Sequence, residues 1–170
     1  MLKNDRLLLR PLQADDAPTL AALANNKRVW DNLRDAMPHP YTEQDARDFI
    51  GLVTDQSPAL IFAITENGAF RGVIGLRAKA DVYRQTAEIG YWLGEPYWGR
   101  GIASMAIGLV SDYGLGPLGF VRLEAGVFSH NPASMRVLEK NGYALEGIHH
   151  KAVTKNGRLL DEHLFARLAG

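Results

Sequence analysis

Between residues 85 and 113 the hydrophobic period changes across a pair of glycines, and no other stretch constrains the fold as tightly. Ala87, Ile89, Tyr91 and Leu93 alternate with Glu88, Gly90 and Trp92, the period of a strand. After Trp98-Gly99-Arg100-Gly101, the residues Ile102, Ala106, Leu109, Val110 and Tyr113 recur at three and four, one face of a helix. The first turn of a helix carries backbone N–H groups without intrahelical partners, all aimed one way and partially positive. Gly99 and Gly101 leave no Cβ between those donors and an approaching pyrophosphate. Residues 98–104 therefore have the context of an anion site. A glycine-loosened turn with no ligand has the same spacing, and the glycine positions alone do not separate the two.

Composition bears on what such a site would serve. The 170 residues are 46% hydrophobic, which suits one globular domain over 1–170 with a substantial core. Formal net charge is zero and no Lys/Arg block occurs, so neither a nucleic-acid groove nor bulk electrostatic steering is expected. Phosphate binding would rest on local geometry. The absence of cysteine excludes disulfides, thiolate nucleophiles and thiolate metal ligands. The histidines show no metal-ligand spacing, and no metal is expected. Met1-Leu2-Lys3-Asn4-Asp5-Arg6 lacks the apolar run of a secretory signal and no later run approaches membrane-spanning length, so the expected location is cytoplasmic, with no membrane partner.

Read from the N-terminus, Arg6 to Arg10 is a short strand closed by Pro11. Asp15 or Asp16 caps a helix carrying Leu20, Leu23 and Ala24. The polar, aromatic, proline-broken segment 30–41 is an ordered loop, and Thr42 with Asp45 opens a second helix through Ala46, Phe49, Ile50 and Val53. Strands Ala59 to Thr65 and Ala69 to Ala78 meet at Glu66-Asn67-Gly68, a hairpin signal. The strand 85–93, the glycine turn and its helix follow. Phe120 to Phe128 is a strand with Val121, Leu123, Ala125 and Val127 on one face, Pro132 to Lys140 a helix ended by Asn141-Gly142, and the last two strands flank Lys155-Asn156-Gly157. The order β-α-α-β-β-β-α-β-α-β-β is α/β overall with a mixed sheet.

About thirty residues after the glycine turn comes Ser129-His130-Asn131-Pro132-Ala133-Ser134-Met135-Arg136-Val137-Leu138-Glu139-Lys140-Asn141-Gly142-Tyr143. Together, and in this order, the two motifs resemble the GCN5-related N-acetyltransferases (GNAT), and within them the RimJ/RimL branch of ribosomal-protein alanine and serine N-acetyltransferases. The likeness runs from Arg6-Leu7-Leu8-Leu9-Arg10-Pro11 to the last hairpin. It implies an α+β domain with a mixed, mostly antiparallel sheet of about seven strands flanked by helices. It also implies that the fourth and fifth of those strands, 85–93 and 120–128, splay to admit the pantetheine arm of acetyl-CoA. Backbone groups near Tyr91, Trp92 and Leu93 would then bind the pantetheine amides, and one N–H would polarise the thioester carbonyl. The pyrophosphate would lie on the amides of Trp98, Gly99, Arg100, Gly101, Ile102, Ala103 and Ser104, with the Arg100 side chain as a further partner. Trp98 departs from the Gln or Arg that usually begins this turn in the family.

Asn131 before Pro132 is a good helix cap on its own chemistry. By resemblance it contacts the coenzyme arm, and Ser134 stabilises the departing CoA thiolate by hydrogen bonding. Attack requires a neutral amine, hence a proton acceptor. Glu88 on the cleft strand, with Gly90 and Trp92 leaving room on its face, is the candidate base; a solvated strand carboxylate, or one paired with arginine, is the alternative. Val153 stands where RimL-like enzymes keep a glutamate, and Gly126 and Leu138 stand where other relatives keep a base and a tyrosine acid. With no cysteine to carry an acetyl group, direct attack in a ternary complex is expected. The acceptor pocket falls to the first helices, their loop and the final hairpin, with Trp30, Asn32, Arg34, His39 and Tyr41 as candidates. The resemblance implies an amine acceptor, on a small molecule or a protein N-terminus, and the last strand suits a homodimer. Two rivals remain from the residues themselves. A dinucleotide-binding oxidoreductase shares the strand–glycine–helix order but lacks the third glycine, with Ser104 in its place. A non-catalytic acetyl-CoA sensor shares the donor site without needing Glu88 or Ser134.

Overall fold

The computed structural model describes all residues from Met1 to Gly170. Eight strands form one sheet in the order β1-β2-β3-β4-β5-β6-β8-β7. They are β1 (Leu2–Lys3), β2 (Leu7–Arg10), β3 (Ile61–Glu66), β4 (Ala69–Ala78), β5 (Thr86–Leu93), β6 (Arg122–Phe128), β7 (Ala144–Lys155) and β8 (Arg158–Leu168). The helices are α1 (Ala17–Ala24), α2 (Lys27–Trp30), α3 (Glu43–Val53), α4 (Ile102–Leu115) and α5 (Pro132–Lys140). The eighth strand beyond the expected seven is the two-residue β1, which covers the β2 edge. None of the helices is long and apolar enough to cross a membrane.

Local chemistry explains most element boundaries. Asn67 and Gly68 take φ of 52° and 77°, and Asn156 and Gly157 take 52° and 71°, the paired left-handed conformation that a two-residue hairpin demands. The α3 cap is reciprocal: the Thr42 hydroxyl accepts from the Asp45 amide while Asp45 accepts from the Thr42 amide. Asn26 caps α2 by accepting from the amides of Arg28 and Val29. The four residues of α2 are too few to show a period in sequence. Val121 does not share a buried face with Leu123; it is 46% exposed and precedes the strand, which starts at Arg122.

Strand alternation divides the core between the two faces of the sheet. On one face, Ile89, Leu123, Ala125, Val127 and Phe165 pack with Ile102, Ala106, Ile107 and Val110 of α4 and Leu138 of α5. On the other, Ala63, Phe70 and Val73 pack with Leu20 and Ala24 of α1 and with Ala46 and Ile50 of α3. Trp92 belongs to this second face, its ring 6.4 Å from that of Phe70. Every strand pairing is antiparallel except β5 with β6. That parallel ladder holds only Thr86–Arg122, Ala87–Leu123 and Glu88–Glu124. Beyond Glu88 the two strands part while each keeps its outer neighbour, and the splay expected between them is present.

Candidate active site

The wedge between β5 and β6 opens into a cavity of about 590 Å³, within the range of small-molecule sites. Its walls are Ile89–Leu93, Ala125–Phe128, the glycine turn, the first residues of α5 and the segment Asn32–Arg34. Backbone alternation decides which β5 groups face the gap. The Gly94 amide donates to Arg71 O on β4, whereas Gln85 O accepts from Val121 beside β6. Even-numbered residues therefore turn their N–H and C=O toward β4, and Ile89, Tyr91 and Leu93 turn theirs toward the wedge. This corrects the expectation for Trp92, whose backbone serves the β4 ladder opposite Val73. Leu93 is free only in part, because its carbonyl accepts from Trp98 Nε1 at 2.9 Å. Through that bond the Trp98 indole ties the turn back to the end of β5.

At the wide end of the wedge, Gly99 and Gly101 take φ of 71° and 77°, and a Cβ on either would meet no atom within 4 Å. The turn needs glycine for its backbone conformation and stands in open space. Gly101 is the N-cap of α4 and has no side chain to satisfy the first-turn amides of Ile102, Ala103 and Ser104. These uncapped donors, in the cavity wall at the start of a fourteen-residue helix, fit an anion such as a pyrophosphate. Sequence reading missed Arg6, which donates to the Arg100 carbonyl at 2.8 Å and pairs with Glu66 at 2.6 Å, fixing the loop from β2. The Arg100 guanidinium lies over the Tyr97 ring, 5.8 Å from its centroid. Ser104 Oγ accepts from Asn141 at 3.1 Å, joining α4 to the end of α5.

Midway along the wedge, on the α4–α5 face, the Tyr91 hydroxyl is hydrogen-bonded to Ser134 Oγ. Burial raises the Tyr91 phenol above its ordinary value, and the bond to Ser134 only partly offsets this, so the pair stays protonated at neutral pH. The sequence reading used Tyr91 only for its backbone. Asn131 Oδ1 accepts from the Ser134 amide at 3.3 Å, which makes it the helix cap its chemistry suggests, and it also borders the cavity.

Across the sheet, on the α1–α3 face, Glu88 sits at the closed end of the wedge. Arg34 holds Oε1 at 2.6 Å and Arg77 holds Oε2 at 2.6 Å, so the Glu88 carboxylate is paired with arginine on both oxygens. Among the acceptor-loop candidates, Asn32 and Arg34 reach the cavity. Three others do not and serve the packing of the loop. Trp30 donates to Met37 O at 2.8 Å, stacks on His39 at 5.4 Å and carries Lys155 Nζ 3.2 Å over its ring. Tyr41 is buried in the α1–α3 core, and burial pushes its phenol up to about 12. Gly126 lies in the cavity wall, Leu138 in the core, and Val153 opposite Leu160 in the last hairpin. A functional candidate that sequence reading missed is Glu162 of β8, whose carboxylate reaches the same cavity.

The comparisons with known proteins agree with this geometry. Residues 6–144 match the acetyltransferase (GNAT) domain. The uncharacterised N-acetyltransferase p20 of Bacillus licheniformis is 31% identical, over 98% of this chain and 95% of its own length. The ribosomal-protein-serine acetyltransferase of Escherichia coli is 33% identical, over 97% of this chain and 94% of its own. The crystal structure of the microcin C7 self-immunity acetyltransferase MccE, in complex with acetyl-CoA and AMP, superposes with a TM-score of 0.82 at 27% identity, covering 97% of this chain and 93% of that one. With the splayed wedge, the uncapped helix start and these likenesses in hand, the chain belongs to the GNAT family and is an acetyl-CoA-dependent acetyltransferase.

Proposed function

We propose that this enzyme transfers the acetyl group to a primary amine by direct attack in a ternary complex, in the manner of the RimJ/RimL branch. The observation that carries the reading is the wedge itself, which is open to both faces of the sheet. Helix-start donors stand at one end, the Tyr91–Ser134 hydroxyls on one face, and Asn32, Arg34 and two carboxylates on the other. Acetyl-CoA supplies the acetyl thioester. The amides of Ile102, Ala103 and Ser104 hold its pyrophosphate, and the Tyr91 and Leu93 N–H groups bind the arm or polarise the thioester carbonyl. Ser134, with Tyr91 behind it, donates a hydrogen bond to the leaving sulfur. Glu88 acts as a positioning residue: held by Arg77, it fixes Arg34 at the acceptor side. The absence of cysteine leaves no thiol to carry an acetyl-enzyme, which supports one-step transfer.

The test is release of CoA thiol when the protein is mixed with acetyl-CoA and pools of amines: peptides with N-terminal serine or alanine, polyamines and amino acids. Acceptor-dependent thiol release is the expected result. Acetyl-CoA binding with no release above the acceptor-free rate, in every pool, would identify a sensor instead.

A further inference from the structure

We propose that Glu162 is the group that takes the proton from the acceptor's ammonium, an inference that rests on the amine-transfer reading above. Phe128 of β6 pairs with Glu162 of β8, and Glu88 pairs with Glu124, so Glu162, Gly126 and Glu88 share the acceptor face of the sheet. The Glu162 carboxylate folds back over Gly126. A Cβ at position 126 would lie 1.8 Å from Glu162 Oε1 and 2.8 Å from its carboxyl carbon. Gly126 has no positive φ to explain it. Its missing side chain is the space the carboxylate occupies.

That space opens into the wedge, and the cavity wall contains only two acids, Glu88 and Glu162. Glu88 has a guanidinium on each oxygen. The Glu162 carboxylate accepts no hydrogen bond, and beside it stands the His149 ring of β7, with Nδ1 3.6 Å from Oε2. From β6 it faces Gly126 and Phe128, along β8 it is flanked by Leu160 and Leu164, and Asn32 and Arg34 stand in the same wall. The carboxylate is three-quarters shielded, its side chain 24% exposed, yet it keeps free lone pairs toward the acceptor side of the thioester channel.

In the step this supports, an ammonium proton passes to Glu162, directly or through one water. The freed nitrogen pair forms the C–N bond to the carbonyl carbon, the carbonyl π pair moves to oxygen and returns, and the C–S bond breaks with its pair on sulfur. The second nitrogen proton ends on that sulfur. The proton on Glu162 leaves to solvent, toward which the half-exposed His149 gives a path. One ammonium and one thioester thus become one amide, one thiol and one released proton.

The experiment compares wild type, Glu162→Gln and Gly126→Ala with two probe amines at pH 7: n-butylamine, which is protonated, and O-methylhydroxylamine, which is neutral. Glu162→Gln is expected to lower kcat/KM for n-butylamine by about 10²–10⁴-fold, with acetyl-CoA affinity unchanged and a much smaller deficit for the neutral amine. Gly126→Ala, whose methyl expels the carboxylate, should show the same amine-selective loss. Equal losses with both amines, or no loss, overturn the assignment to Glu162. Absence of amine-dependent thiol release by the wild type with these probes and with every amine pool named above overturns the transferase reading itself, so the two failures are distinct.

Discussion

Substituting Gly101→Ala separates two ways in which the glycine turn can matter. The residue sits at φ 77° as the N-cap of α4, and an added Cβ would meet no atom within 4 Å, so the penalty is conformational and not steric. Holding an L-residue in the left-handed region costs roughly 1–2 kcal/mol. Where that energy appears depends on what the free protein does. If the turn keeps its conformation, unfolding stability falls by about that amount and the melting temperature drops by roughly 2–8 °C for a chain of this size, while the Kd for acetyl-CoA is unchanged. If the turn relaxes, stability is retained and the Kd rises about 5–30-fold, the cost being met on binding. The two losses should sum to about 1–2 kcal/mol in either case. Chemical denaturation and calorimetric titration with acetyl-CoA measure both. Gly68→Ala provides the control: φ is also 77° with no atom within 4 Å of the Cβ, but it lies in the β3–β4 hairpin and should lose stability only. If Gly101→Ala left both stability and Kd at wild-type values, backbone strain at this turn would be refuted.

Two further outcomes follow from ion pairs. Glu88→Gln keeps the shape of the residue but weakens its hold on Arg34 and Arg77, so the acceptor KM should rise several-fold (about 1 kcal/mol after solvent screening) with a smaller change in kcat; a fall in kcat alone, with a shifted acid limb in the pH profile, would make Glu88 the base. Asp16 lies against Arg10 at 2.7 Å; its own burial opposes ionisation, but the guanidinium and the Gln13 amide outweigh this and hold its carboxyl below the ordinary value. A depressed folded-state value means that the pair's stability is present above the ordinary carboxylate range and is lost as pH falls through the folded value. Asp16→Asn should therefore cost about 1–3 kcal/mol at pH 7 and flatten the fall in stability below pH 4, read from denaturant midpoints across pH.

Legibility in sequence tracked the range of the interaction. The hairpins at Asn67-Gly68 and Asn156-Gly157, the Thr42–Asp45 cap and the glycine turn are decided within a few residues, and each stands where the sequence places it. The acceptor loop was harder. Trp30, His39 and Tyr41 carry the residue types of a binding pocket, but Lys155, brought in from the far hairpin, claims the Trp30 ring, and the α1–α3 core claims Tyr41. Glu88 pairs with Arg34 and Arg77 through contacts no local pattern announces. Glu162 depends on β6 and β8 lying side by side with Gly126 beneath the carboxylate. A faint signal existed: Leu160, Glu162 and Leu164 alternate along one strand face, and an acid between two leucines on such a face is costly unless it has a function there.

The placement of the chemistry then reduces to parity. Tyr91 is odd in β5, so its backbone opens into the wedge while its side chain goes to the α5 face and meets Ser134; Glu88 is even, so its backbone joins β4 and its side chain goes to the acceptor face. The three-pair parallel ladder passes that parity to β6, and the β6–β8 register passes it to Glu162. Because the side-chain period is two, the hydroxyls that would receive the leaving sulfur and the carboxylate that would receive the amine's proton are held on opposite faces by the sheet itself. The wedge runs between them. A one-residue slip in either register would carry Glu162 to the face that holds Tyr91 and Ser134, so separation of proton acceptor from leaving group is a property of strand pairing before it is a property of any single residue.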